Sequence, residues 1–152
     1  MKLVTFSYHG QERIGALDPI GRIVDLRKAF ACLQRENETI PDTDEFAVAV
    51  LGRDMGEFLE HGEKSLEAAR KSLAHIAATE HVSKGCTVLQ PNEIRLMAPV
   101  PRPGALISAG KNFSDHVAEM AAKKGPAAPV ASLKLPGSVT GPDDDISLST
   151  GS

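Results

Sequence analysis

Four prolines fall within the thirteen residues from Pro91 to Pro103, and an uninterrupted helix cannot run through them. Proline fixes its own φ, lacks an amide donor and pushes the preceding residue out of the helical region. The run Ile94-Arg95-Leu96-Met97-Ala98-Pro99-Val100-Pro101 is therefore predicted to be extended strand and tight turn. It separates two stretches of different character. We place the boundary between Lys84 and Pro91, with an N-terminal module over residues 1–87 and a second over 88–152.

The first thirty residues pattern as a small antiparallel sheet. Leu3, Val4 and Phe6 open a strand, Tyr8-His9-Gly10-Gln11 offers a turn, and Arg13-Ile14-Gly15-Ala16-Leu17 returns. Asp18-Pro19-Ile20-Gly21 is a second turn signal. Ile23-Val24-Asp25-Leu26 makes a third short strand leading into a helix through Ala29, Phe30 and Leu33. From Asp44 to about Thr79 the period becomes helical, with Phe46, Val50 and Leu51 on one face and Met55, Phe58 and Leu59 on the next. Leu66, Ala69, Leu73, Ile76 and Ala77 then form an apolar stripe that reads as an ordinary core face.

Composition narrows the function. A formal charge of -3 without a basic stripe speaks against nucleic acid, because phosphate binding needs clustered Lys and Arg. No run is long and apolar enough for a bilayer or a signal peptide, so neither membrane nor export is expected and the location is read as cytoplasmic. Cys32 and Cys86 lie far apart and form no CxxC pair, which suggests neither a disulfide framework nor a zinc site.

Chemistry concentrates after Gly104. Ala105-Leu106-Ile107-Ser108-Ala109 reads as a short strand, and Phe113 to Met120 as a short helix that Asn112 or Ser114 could cap. Strand-to-helix corners are open to substrate. His116 and Glu119 stand three apart, so on a helix they share a face. An imidazole titrating near neutrality can take a proton, and a neighbouring carboxylate can orient the ring or hold a water. The pair suffices for general-base work, and a surface pair with no task fits the same spacing.

Order and spacing supply the context. Glu93 to Pro103, then Gly110-Lys111-Asn112-Phe113, Asp115-His116-x-x-Glu119-Met120, Pro126-x-x-Pro129, Lys134, Ser138-Val139-Thr140-Gly141-Pro142 and Asp145-Ile146-x-Leu148 together resemble the fumarylacetoacetate hydrolase superfamily. Arg13 to Leu17 and Ile23 to Leu26 are similar to the appended N-terminal domain of its longer members. The resemblance implies an α+β fold: a sheet-plus-helices module, then the first part of a mostly β roll. It also implies a hydrolase, lyase or isomerase of small 1,3-dicarbonyl or 2-oxo acids, using Mg²⁺ or Mn²⁺ and assembled as a homodimer.

On the same resemblance, His116 is the base and Glu119 its partner in positioning water, while Lys111, Asn112 and Lys134 contribute to substrate binding. Departures are Phe113 for the usual Tyr, Ser132 for a frequent Phe and Ser149 for Pro. The family's metal ligands, a Glu-x-Glu element and a later Asp, are expected beyond Ser152, so no ligand is assigned here and the chain alone is expected to be inactive. Asp143-Asp144-Asp145 reads as a solvated turn. The alternative is a non-catalytic remnant that serves as a binding or assembly module.

Overall fold

The computed structural model describes residues 1–36, 43–79, 88–110 and 130–146. The chain divides into two compact units, Met1–Pro101 with Thr140–Ser152, and Arg102–Val139.

The first unit is an antiparallel five-stranded sheet with four helices. Strands β1 (Lys2–Tyr8), β2 (Gln11–Leu17), β3 (Ile23–Asp25), β4 (Val88–Leu89) and β5 (Arg95–Leu96) lie in the order β4-β3-β2-β1-β5. The β1–β2 ladder runs in continuous register from Lys2↔Leu17 to Tyr8↔Gln11. His9 and Gly10, with φ of 50° and 77°, form its two-residue turn, because positive φ at both positions matches the twist of a hairpin. At the next turn the Asp18 carboxylate accepts the Ile20 and Arg22 amides at 3.0 and 2.8 Å. Thr5 receives the Met97 amide at 2.9 Å and donates its hydroxyl to the Pro99 carbonyl at 2.7 Å, which ties the proline-rich run to β1.

Helices α1 (Leu26–Glu36), α2 (Thr43–Leu51), α3 (Met55–Glu60) and α4 (Glu63–Ala78) build the main core with Ile14 and Ala16 of β2. Phe6, Ile23 and Leu89 form a separate cluster with Val4 and Leu96. Gly15 lies under Phe6, where an added Cβ would come within 2.8 Å of the ring. On α4 the expected apolar stripe holds for Leu66, Ala69, Leu73 and Ile76, which are buried or pack against the core, and the buried face widens to take in two serines. Ser65, Ala68, Ala69, Ser72 and Ile76 are buried, whereas Ala77 is exposed. The serines go inside because Ser65 donates to the Phe58 carbonyl at 2.5 Å and Ser72 to Ala68 at 2.8 Å, so no donor is left unmet. Leu59, expected on the apolar face of α3, is 51% exposed. Cys32 on α1 is buried and disulfide-bonded, against the sequence expectation, since distance along a chain says nothing about proximity in the fold.

The start of α3 carries a pH-sensitive device. Asp54 caps the helix by accepting the Glu57 amide at 3.0 Å. Arg53 grips the Glu57 carboxylate through its guanidinium and its own amide, which pulls that carboxyl down to about 2. A carboxyl held below its unfolded pKa of about 4.3 stabilises the fold above that pH, and the contribution fades as pH falls toward 2. Glu57→Gln is therefore expected to lower the urea midpoint at pH 7 and to have a much smaller effect near pH 2. An equal effect at both pH values would show that the charge is irrelevant.

Candidate functional site

In the second unit, β6 (Leu106–Gly110) pairs antiparallel with β7 (Val130–Lys134), in register from Gly110↔Val130 to Leu106↔Lys134. The sequence-expected strand at 105–109 is thus present as β6. Residues 111–129, which contain Lys111, Asn112, His116 and Glu119, connect the Gly110–Val130 end of this ladder and lie outside the described residues. Lys134 is described. It is exposed, four residues from Val130, about 13 Å along the strand. Strand alternation places it on the same face as Gly110 and Val130. The opposite face carries Ile107, Ala109, Ala131 and Leu133, and Ile107 and Leu133 are 65% and 78% exposed.

The acidic triplet is a turn, as its sequence suggests. The Gly141 amide donates to Asp144 at 2.8 Å and Arg95 pairs with the same carboxylate. These contacts, the amide first and Arg95 second, hold the Asp144 carboxyl below the usual range. Gly141 has little room for a side chain, since a Cβ would stand 3.1 Å from the Asp144 carboxylate and 3.3 Å from the Leu96 carbonyl. Asp144 is thus committed to holding the 140–144 turn against β5. Among the described residues no group of three or more His, Cys, Asp or Glu is placed to hold a metal ion.

Two clefts of the first unit complete the picture. An apolar groove of about 830 Å³ is lined by Leu17, Ile20, Val24, Leu73 and Ile76, and its carboxylate, Asp18, is held by Arg22 at 2.7 Å. A second cleft, of about 470 Å³, is lined by Gln11, Arg13, Arg27, Lys28, Arg35 and Asp44. Sequence reasoning missed it because its cations come from β2 and from two turns of α1 and form no contiguous basic run. The signal lay in α1, where no acidic residue occupies the first turn and Arg27 and Lys28 do. Among the described residues no helix is long and apolar enough to cross a membrane.

No family model matches the chain. Relatives do. The oxaloacetate tautomerase YisK of Bacillus subtilis is 32% identical over 146 residues, covering 95% of this chain and 44% of that protein. A mitochondrial oxaloacetate tautomerase of Homo sapiens is 34% identical over 98 residues, covering 64% of this chain and 28% of its own length. The fumarylacetoacetate hydrolase domain-containing protein 2 of Pongo abelii is 33% identical over 98 residues, with the same coverage. The chain thus spans less than half the length of the curated relatives it matches. A match over 95% of the chain leaves out too few residues to miss the stretch from Lys111 to Lys134. Shared identity of this extent, added to the ordered motifs from Glu93 to Leu148 and to the α+β fold of the first unit, places the chain in the fumarylacetoacetate hydrolase superfamily.

Proposed function

We propose that this chain supplies the proton-transfer residues of a fumarylacetoacetate hydrolase-type enzyme that tautomerises a small 2-oxo dicarboxylic acid of the oxaloacetate kind. The observation that carries the reading is the 32% identity with an oxaloacetate tautomerase over 146 residues, the span that contains His116 and Glu119. The reaction needs little more than a base and a proton return. The carbon between two carbonyl groups is acidic because its anion spreads onto the oxo oxygen. Neutral His116 takes one proton from that carbon, and one proton arrives on the oxo oxygen to give the enol; the reverse path restores the ketone. Glu119, three positions on, orients the imidazole or the water beside it. Lys111, Asn112 and Lys134 offer donors for the substrate carboxylates.

Family resemblance adds Mg²⁺ or Mn²⁺. Such an ion would polarise the oxo oxygen and stabilise the enolate, while the proton steps above fall to the side chains. A homodimer, a cytoplasmic location and a functional division near residues 87 and 88 belong to the same reading. The test follows enol absorbance of oxaloacetate in stopped flow with the full-length protein. His116→Ala is expected to lower kcat/KM a hundredfold or more, with a smaller loss for Glu119→Gln. A wild-type rate in His116→Ala would remove the assigned base. No acceleration by the unaltered protein would favour a binding or assembly module.

A further inference from the structure

The groove between the β2–β3 turn and α4 keeps apolar surface open to solvent. Val24 and Ile76 in its lining are buried, Leu17 and Leu73 are half-buried, and Ile20 and Met1 carry the surface outward at 76% and 53% exposure. Contiguous apolar surface with a polar rim marks a place where a ligand or partner docks. The charges in the lining are unequal, with Lys2, Arg22 and Arg70 against the single carboxylate of Asp18. Asp18 accepts Arg22 Nε at 2.7 Å as well as the Ile20 and Arg22 amides, so its charge is already met. Arg22 gives only Nε to that pair, which leaves both Nη groups to donate. Arg70 is held by Glu63. Lys2 is exposed and forms no ion pair among the described residues, so the unmatched positive charge is its own. Lys2 stands across the β1–β2 ladder from Leu17, and Arg22 precedes Ile23, which pairs with Leu17 from the other side. The two basic residues therefore flank one rung at the end of the sheet.

We propose that this groove binds a medium-chain fatty carboxylate, its chain along Leu17, Val24, Leu73 and Ile76 and its head group on Lys2 and Arg22. Charge and length both select this class. Between Arg70 and Ala77, which both line the groove, α4 rises about 10 Å, the reach of an extended medium-length acyl chain. The groove, at about 830 Å³, has room for such a chain. One end of the ligand must be anionic, because Lys2 has no counter-charge and Arg22 has donors to spare. The rest must be apolar, since a second charge laid against Leu73 and Ile76 would lose its water without gaining a partner.

Titration of the full-length protein with decanoate below its micelle concentration, followed by calorimetry and by melting temperature, tests the site. Saturable binding and a raised Tm are expected with decanoate and not with acetate, which lacks the chain. Decanol, which lacks the charge, should bind at least tenfold more weakly. Ala74→Phe fills the groove from an exposed position of α4 and should weaken decanoate at least tenfold with little risk to the fold. Lys2→Gln should bring decanoate toward the affinity of decanol and leave decanol itself unchanged. Decanoate binding undiminished by Ala74→Phe would place the ligand elsewhere and overturn the assignment. Decanol binding as tightly as decanoate, or a Lys2→Gln variant that holds decanoate as the unaltered protein does, would remove the charge match and with it the proposal. A change from dimer to monomer in the sedimentation of Ala74→Phe would show that a second copy of the chain covers the groove, which would also overturn it.

Discussion

Asp25→Ala is expected to lower the free energy of unfolding by about 3–5 kcal/mol, the range for removing one member of a buried ion pair. Asp25 is 1% exposed and does two things at the junction of β3 and α1. One oxygen accepts Arg13 Nη1 at 2.7 Å, and the other accepts the Lys28 amide at 3.2 Å, as a helix-capping residue does. Alanine would leave the mostly buried Arg13 guanidinium without its counter-charge and the first turn of α1 without its acceptor. Asp25→Asn keeps an acceptor for the amide and loses the charge, so it should fall between the two. Urea denaturation at pH 7 reads all three proteins. A loss under about 1 kcal/mol in Asp25→Ala would show that the pair contributes little beyond a surface bridge.

Phe58→Ala should cost about 3–5 kcal/mol, the range for truncating a fully buried aromatic. Phe58 is wholly inaccessible on α3, in the cluster that holds Leu51, Met55 and Ala69. Its backbone is engaged as well, because the carbonyl accepts Ser65 and the amide crowds Gly52. Gly52 has φ of 82°, and a Cβ there would stand 2.8 Å from the Phe58 nitrogen. Backbone on this side of α3 therefore has little freedom to fill the space a lost ring would leave. At roughly 2–4 °C per kcal/mol for a chain of this size, the melting temperature should drop by about 6–20 °C. Phe58→Leu, which keeps most of the volume, should lose far less. Equal losses in both variants would mean that ring shape, not filled volume, sets the stability.

The sequence made local structure legible where side-chain chemistry dictates it. Gly10 after His9, and Asp18 before Gly21, announced turns because few residues tolerate or stabilise those backbones. Proline spacing kept residues 94–103 out of helices, although the strand it suggested shrinks to Arg95–Leu96. What could not be read was set by the fold as a whole. Ser65 and Ser72 count as polar, yet they are fully buried on α4 because neighbouring carbonyls satisfy them. Nor does any local pattern tell that β4 and β5 join the sheet of the first unit. The candidate dyad was visible for a different reason, since order and spacing of several short motifs survive without any knowledge of packing. The basic cleft was hidden because its charges converge only after β2 and α1 are assembled.

The strand order β4-β3-β2-β1-β5 also sets an order in time. The β1–β2 ladder closes through two residues and is almost entirely local, so it can form while the chain is still emerging. The outer strands pair Phe6 with Leu96 and Ile23 with Leu89, and these contacts wait until all four helices have been made. Until then β1 and β3 both show bare edges, the state most open to pairing with another chain. A recombinant N-terminal piece cut at residue 87 would keep both edges bare, and a soluble one should extend past Leu96.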